Sequence, residues 1–401
     1  EVDLTDMGMA IASLPLRLGG LAFTRALSIA AIAYEASKTD SLLNAHGVKR
    51  KDGDFKTQKA GTKKMHNKEH ARLSDANETI KAHLADCSRA KAKWATSILG
   101  CTRLQSDTVF AAAIRGAINL PHRTITTHGA RCPGCKLVFR DAHEIVPHLR
   151  GCSQIPGYNV SMRHTALRLK VIEVLKEAGF VVPMKEPREF AHYWCTEAQK
   201  RIFWDDFPDH KLNCEKCREG KELHPSGPDI RVYFNDDESL VIDISIISVA
   251  CRTYVDGCES VDDAMDLVIT RKEQTYGDAV AERNEAMCVM CFSANGAPGS
   301  DSMSLIRKAV TESHIRGLDE RDLQERLATA VVFQSAKVLI NAEKELGAAI
   351  VGRTHGPARM PVVAMPPSAP VVRQNDAVNV ERDNAEQRDG DGDDEPPAEQ
   401  P

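Results

Sequence analysis

One spacing constrains this chain more than any other feature: Cys132-Pro133-Gly134-Cys135, followed by Phe139, Ile145, His148 and Cys152. Written out, it is Cys-x2-Cys-x3-Phe-x5-Ile-x2-His-x3-Cys. A Cys-x-x-Cys turn presents two thiolates to one ion, and a His and a Cys one helical turn apart present two more ligands from one face. Phe139 and Ile145 fall where a small finger places its core, so ligand spacing and core spacing agree independently. Cys132, Cys135, His148 and Cys152 are therefore the expected ligands of a zinc ion. His143 is the alternative histidine, since Cys135-x7-His143 is also workable. Four protein ligands leave no open position, which makes the expected role structural.

The remaining cysteines are read against that site. Twelve occur in all, as three Cys-x-x-Cys pairs and six singles, which suits a reducing compartment with some thiols on metal. Cys214-x2-Cys217 could anchor a second zinc with His210, His224 or Cys195, but spacing singles out no set. Cys288-x2-Cys291 lies inside an apolar strand whose alternate residues face opposite ways, so buried thiols are expected there.

The second constraint is an acid where an acid is expensive. Asp243 stands inside Val241-Ile242-Asp243-Ile244-Ser245-Ile246-Ile247, and Pro228-Asp229 opens the preceding strand candidate, Ile230 to Phe234. A hairpin can bring the two carboxylates to one edge, and an unpaired buried charge would cost several kcal/mol. A divalent cation shared by Asp229 and Asp243 offsets that cost economically. A basic residue should complete such a site; Lys272 lies on the following helix with Tyr276 one turn further, and Arg271 competes with it.

Around these residues the periodicity reads as helix (161–178), short strand (180–184), hairpin (230–234 and 240–247), helix (261–284) and strand (287–292). That order is α-β-β-β-α-β. Helices are also expected over 24–37, 76–100, 106–118, 302–315 and 319–346. The segment arrangement is a helical piece over 1–45, a basic linker over 46–75 and a helical linker over 76–130. The knuckle over 131–155 and the α/β core over 156–295 follow, with C-terminal helices over 296–350. Residues 351–401 read as a disordered, acidic and Pro-rich tail. Phe234-Asn235-Asp236-Asp237 falls on a polar turn with no partner motif, so it is not taken as a polymerase signature.

The net charge of −5 conceals a split: residues 371–401 carry ten acids against three Arg, leaving the rest of the chain at +2. Lys49 to Lys68 carries eight basic residues, among them Lys49, Arg50, Lys51, Lys63 and Lys64, against Asp52 and Asp54. A basic arm of this kind suits phosphate contacts. No apolar run approaches the roughly 18 to 20 residues of a membrane span, so an integral membrane protein is excluded. The chain starts at Glu1 without a secretory signal and is expected to be a fragment or a processed product.

Taken in order, the cysteine–histidine knuckle, Arg163-His164, Pro228-Asp229, Asp243 and Lys272-x3-Tyr276 resemble the C-terminal half of the older site-specific non-LTR retrotransposons. Those elements carry a restriction-like endonuclease, and the spliced-leader-associated elements of trypanosomatids are one branch. The block Leu14 to Leu21 looks like the segment after a reverse-transcriptase thumb, and Phe110 to Arg115 with Leu120-Pro121 is similar to the helix before the family's knuckle. The resemblance covers roughly residues 10 to 300. It implies a restriction-endonuclease-like core of the PD-(D/E)xK type, with Ser245 at the usual lysine position and the lysine displaced to the next helix, where Lys272 stands. It further implies a Mg²⁺-dependent endonuclease that nicks target DNA in the nucleus to prime copying of element RNA, working with the reverse-transcriptase part of the same polyprotein. The polymerase palm itself is absent. Zinc would be structural, and Arg163, His164 and the basic arm would grip nucleic acid. The alternative is a decayed element that keeps the finger and binds nucleic acid without cutting.

Overall fold

The computed structural model describes residues 6–22, 32–34, 58–90, 107–122, 125, 130–195, 200–203, 206, 208–209, 214, 227–235, 238–313, 315 and 317–354. Its centre is a small mixed sheet in a helix-rich chain. Strands β3 (Ile230–Tyr233), β4 (Ser239–Ile247) and β5 (Ala286–Ser293) lie in the order β3-β4-β5. The β3–β4 pair is antiparallel and β4–β5 is parallel, with Ile230 opposite Ile242 and Asp243 opposite Val289. Parallel strands need a long crossover, and the short helix α7 (Arg252–Val255) followed by helix α8 (Val261–Ala281) supplies it, the first turn of α8 capped by the Ser260 hydroxyl accepting from the Asp263 N–H. Because β4 is covered on both sides, its sequence is apolar almost throughout.

One face packs against α6 (Val160–Glu177), α9 (Ser300–Glu312) and α10 (Glu320–Thr354). Leu167, Val171 and Leu175 recur at one helical stripe of α6 and bury against Ile230, Val232, Ile242, Ile244, Met290 and Phe292. The opposite face carries Val289 and Cys291, covered by Met265 and Ile269 of α8. Each such side chain contributes roughly 1.5–3 kcal/mol of burial.

The expected α-β-β-β-α-β order is present except at its first strand. Over 180–184 only Val181 pairs, in a single bridge to Tyr233, whose N–H donates to the Val181 carbonyl at 3.0 Å. Pro183 lacks the donor a ladder would need, and Val181 itself is exposed. The polar stretch after 187 holds a hairpin that was not expected, β1 (His192–Cys195) with β2 (Lys200–Phe203).

The N-terminal helices form their own cluster. Helices α1 (Asp6–Ser13), α2 (Gln58–Ala76), α3 (Glu78–Ala90) and α4 (Asp107–Ala117) bury Ile11, Leu73, Ile80, Leu84 and Ala113 together. The expectation of a linker over 46–75 is corrected here for residues 58–75. Lys, Gln, Ala and Met are strong helix formers, and Leu73 is the buried anchor of a helix whose other described side chains are half-buried or exposed. Helix α10 then runs past three cores: Leu323, Leu327 and Val331 seal the sheet, Val332 and Ala336 meet the N-terminal helices, and Leu339, Ala342 and Leu346 cover the knuckle. Residues 24–30, 36–57, 91–106 and 355–401 lie outside the described residues, and with them Lys49, Arg50, Lys51 and the acidic tail. Among the described residues, no helix is long and apolar enough to cross a membrane.

Candidate metal centre and active site

The knuckle is built by its turn. Lys136 N–H donates to the Cys132 carbonyl at 3.1 Å and Cys132 N–H to Leu137 at 2.9 Å, folding Cys132 and Cys135 to one side. Gly134 is required by a close approach: a Cβ there would stand 2.5 Å from the Gln154 backbone. Asp141 next accepts the N–H groups of His143 and Glu144, starting a short 3-10 turn that runs into α5 (Ile145–Gly151). His148 projects from α5, and Cys152 closes it by donating its N–H to the His148 carbonyl at 2.9 Å.

The four ligand atoms of Cys132, Cys135, His148 and Cys152 all lie within 4.8 Å of one another. Cys132 Sγ is 3.6 Å from Cys152 Sγ, and Cys135 Sγ is 3.3 Å from His148 Nε2. Tetrahedral zinc with its usual bond lengths would set these edges at about 3.8 and about 3.5 Å, so this Cys3His cluster could bind zinc. The Cys132 thiol donates toward Cys152 and, with His148 beside it, holds the Cys152 thiol well below its ordinary pKa. The Phe139 ring meets His148 edge-on at 5.4 Å. His143 is not in the cluster; its backbone is committed to Asp141 and Asn119, and burial lowers its ring pKa.

The second constellation gathers on the edge of the sheet. Asp229 precedes β3, and its N–H donates to the Ile242 carbonyl at 3.0 Å, which sets it opposite Asp243 on the neighbouring strand. Asp229 Oδ2 accepts from the Ile244 N–H at 2.7 Å and from His164 Nε2 at 3.0 Å. The same Nε2 lies 3.0 Å from the Ile244 carbonyl. Both neighbours of Nε2 are acceptors, so that nitrogen carries the proton. The bond to Asp229 raises the His164 pKa, against burial.

Asp243 is 2% exposed. Lys272 Nζ reaches it from α8, 3.1 Å from Oδ2 and 3.4 Å from Oδ1. The contact to Oδ2 is an ion pair without hydrogen-bond alignment, since Oδ2 is buried and accepts no hydrogen bond. Burial pushes the Asp243 carboxyl up to about 6; Lys272 opposes the rise and Asp229 adds to it. For Lys272, burial works against the ammonium, but the Asp243 charge, Tyr276, the hydrogen bond to Asp243 and the Asp229 charge together outweigh it and the pKa rises. The Lys272 ammonium also lies 5.3 Å over the buried Tyr276 ring, which in turn meets His192 of β1 edge-on. Arg271 is exposed, so Lys272 is the basic residue that enters the site. Ser245, two residues beyond Asp243, is buried.

Arg163 departs from the expected phosphate contact. It is 1% exposed and donates to the Arg150 carbonyl at 2.8 Å, Ser335 Oγ at 3.3 Å and the Ile246 carbonyl at 3.1 Å. It therefore ties α5, α10 and β4 together and is out of reach of a ligand. Lys63 and Lys64 are exposed on α2. Sequence reasoning placed His164 among nucleic-acid contacts and missed its bond to Asp229, for which no local spacing exists. It also missed the buried chain in which Arg150 donates to Asn295 Oδ1 at 2.8 Å and Asn295 to Asp86 Oδ2 at 2.8 Å.

No model of a known protein family matches the chain, and no curated protein matches it.

Proposed function

We propose that this chain is a Mg²⁺-dependent DNA endonuclease with a restriction-like core, the C-terminal part of a site-specific non-LTR retrotransposon polyprotein. The observation that carries the reading is the buried acid: Asp243 stands beside Asp229 on paired strands, faced by Lys272, with a carboxylate oxygen that accepts no hydrogen bond. The donor set fits a hard cation, because Asp229 Oδ1 and Asp243 Oδ2 are carboxylate oxygens left over after the hydrogen bonds above. Asp229 and Asp243 would hold Mg²⁺, which when bound polarises a phosphate and lowers the pKa of a water. His164 and the Ile244 N–H fix the Asp229 carboxylate in place. Lys272 supplies positive charge where the phosphate gains negative charge, and its ammonium lies over the Tyr276 ring. Zinc in the knuckle would be structural.

The resemblance in residue order supports the biological setting. Nicking target DNA in the nucleus would leave a 3′ hydroxyl to prime copying of element RNA by the reverse-transcriptase part of the polyprotein. The exposed Lys63 and Lys64 would contact phosphates. Supercoiled plasmid incubated with the zinc-loaded chain and Mg²⁺ should be nicked, and Mg²⁺ omission should abolish nicking. DNA binding that persists without any nicking, across Mg²⁺ and Mn²⁺, would replace this reading with that of a binding module.

A further inference from the structure

A pair of thiols stands apart from both sites already described. Cys195, at the end of β1, and Cys214 are 2% and 6% exposed, and their sulfurs are 3.8 Å apart. That separation is far beyond the roughly 2 Å of a disulfide. It equals the edge of about 3.8 Å that two thiolates span on tetrahedral zinc, and it is close to the 3.6 Å between Cys132 and Cys152 in the knuckle. We propose that Cys195 and Cys214 are two ligands of a second structural zinc centre. Cys217, which the spacing Cys214-x2-Cys217 also offers, and His210 and His224 lie outside the described residues.

Size argues in the same direction. The β1–β2 hairpin has four residues in each strand, and among the described residues its buried cluster is Cys195, Ile202 and Cys214. A two-stranded hairpin of that length is marginal in water, and cores this small are commonly stapled by a disulfide or a metal. The hairpin also abuts the acidic site: His192 meets Tyr276, and Arg283 of the segment after α8 lies 4.9 Å over the Phe203 ring. A zinc at its end would brace the wall that positions Lys272. The inference stands on the thiol pair and holds whether or not the chain cuts DNA.

Zinc counted by elemental analysis on the full chain, purified in reductant, tests it. The expected result is two zinc ions per chain, falling to one in Cys195→Ser and in Cys214→Ser, and to none when Cys195→Ser is combined with Cys132→Ser. Should the variants misfold, cobalt substitution of the parent gives the same count: thiolate-to-cobalt absorption should saturate at two equivalents. One zinc per chain in the parent, or saturation at one equivalent, would overturn the proposal. So would loss of two hydrogens on a Cys195–Cys214 cross-link found by mass spectrometry of the untreated protein. Undiminished zinc in folded Cys195→Ser and Cys214→Ser would overturn it as well.

Discussion

The knuckle, which could bind zinc, and the acidic site, for which a cation is proposed, are assembled by opposite means. All four knuckle donors come from residues 132 to 152, one turn and one short helix, with a core completed by Leu339, Ala342 and Leu346 of α10. The acidic site draws His164, Asp229, Asp243 and Lys272 from α6, the entry to β3, β4 and α8. In the knuckle the metal would supply folding energy directly, joining a turn and a short helix otherwise held by the core they share with α10. In the acidic site the sheet already places the carboxylates, and without a cation the fold bears a buried charge that Lys272 offsets only in part. Stripping metal should therefore dismantle the first region and leave the second standing but less stable.

The largest effect should break that contrast most plainly if it is wrong. Zinc removal, or Cys135→Ser, removes binding worth about 10–16 kcal/mol in structural zinc sites. Hydrogen exchange should then show lost protection over 131–155 and 339–346, with β3, β4 and β5 still protected. Collapse of the whole chain would mean the sheet depends on the knuckle. Next, Asp229→Asn and Asp243→Asn should each lower plasmid nicking by at least about 10³-fold, since several kcal/mol of transition-state stabilisation would go with the metal. Both variants should retain the knuckle zinc.

A smaller effect is the pH dependence of the Mg²⁺-free, zinc-loaded chain. Asp243 has a folded pKa of about 6 against an ordinary 3.8, so in that window the folded chain keeps a proton that the unfolded chain has lost. Stability from this group is therefore lost as pH rises through the window, by about 3 kcal/mol at pH 7. Thermal unfolding from pH 4 to 7 should show the loss in the parent and its absence in Asp243→Asn, and Mg²⁺ should restore stability at pH 7 but not at pH 4. Lys272→Ala should lower nicking about 10²-fold, in the range for one lost electrostatic stabiliser. Smallest, Lys63→Ala with Lys64→Ala should reduce the salt dependence of DNA binding by about two counterions. An Arg163→Ala change should weaken folding instead, because that guanidinium bridges three elements.

The same contrast explains what could be read from the amino-acid sequence. A knuckle is local, so its ligand spacing and the Phe139 and Ile145 positions show in one line of residues, and the choice of His148 over His143 needed only the three-dimensional cluster. For the acidic site, the odd acid in an apolar strand was visible, and so was the hairpin that pairs it with Asp229. The bond from His164 and the choice of Lys272 over Arg271 depend on helix packing between distant segments, which no spacing encodes. Arg163 was misread for the same reason, since a basic residue beside a histidine looks like a phosphate contact until its three buried acceptors are seen. Helix α2 was misread because a lysine-rich, apolar-poor segment resembles a linker, and Leu73 is one anchor that periodicity cannot register.

The central claim is that Asp229 and Asp243 together form a cation site. Its most direct measurement is an electron paramagnetic resonance titration of Mn²⁺ into the zinc-loaded chain with a short duplex present. The account predicts one bound Mn²⁺ per chain, lost in both Asp229→Asn and Asp243→Asn and displaced by excess Mg²⁺. Mn²⁺ binding unchanged in either folded variant, or no binding by the parent, would contradict it.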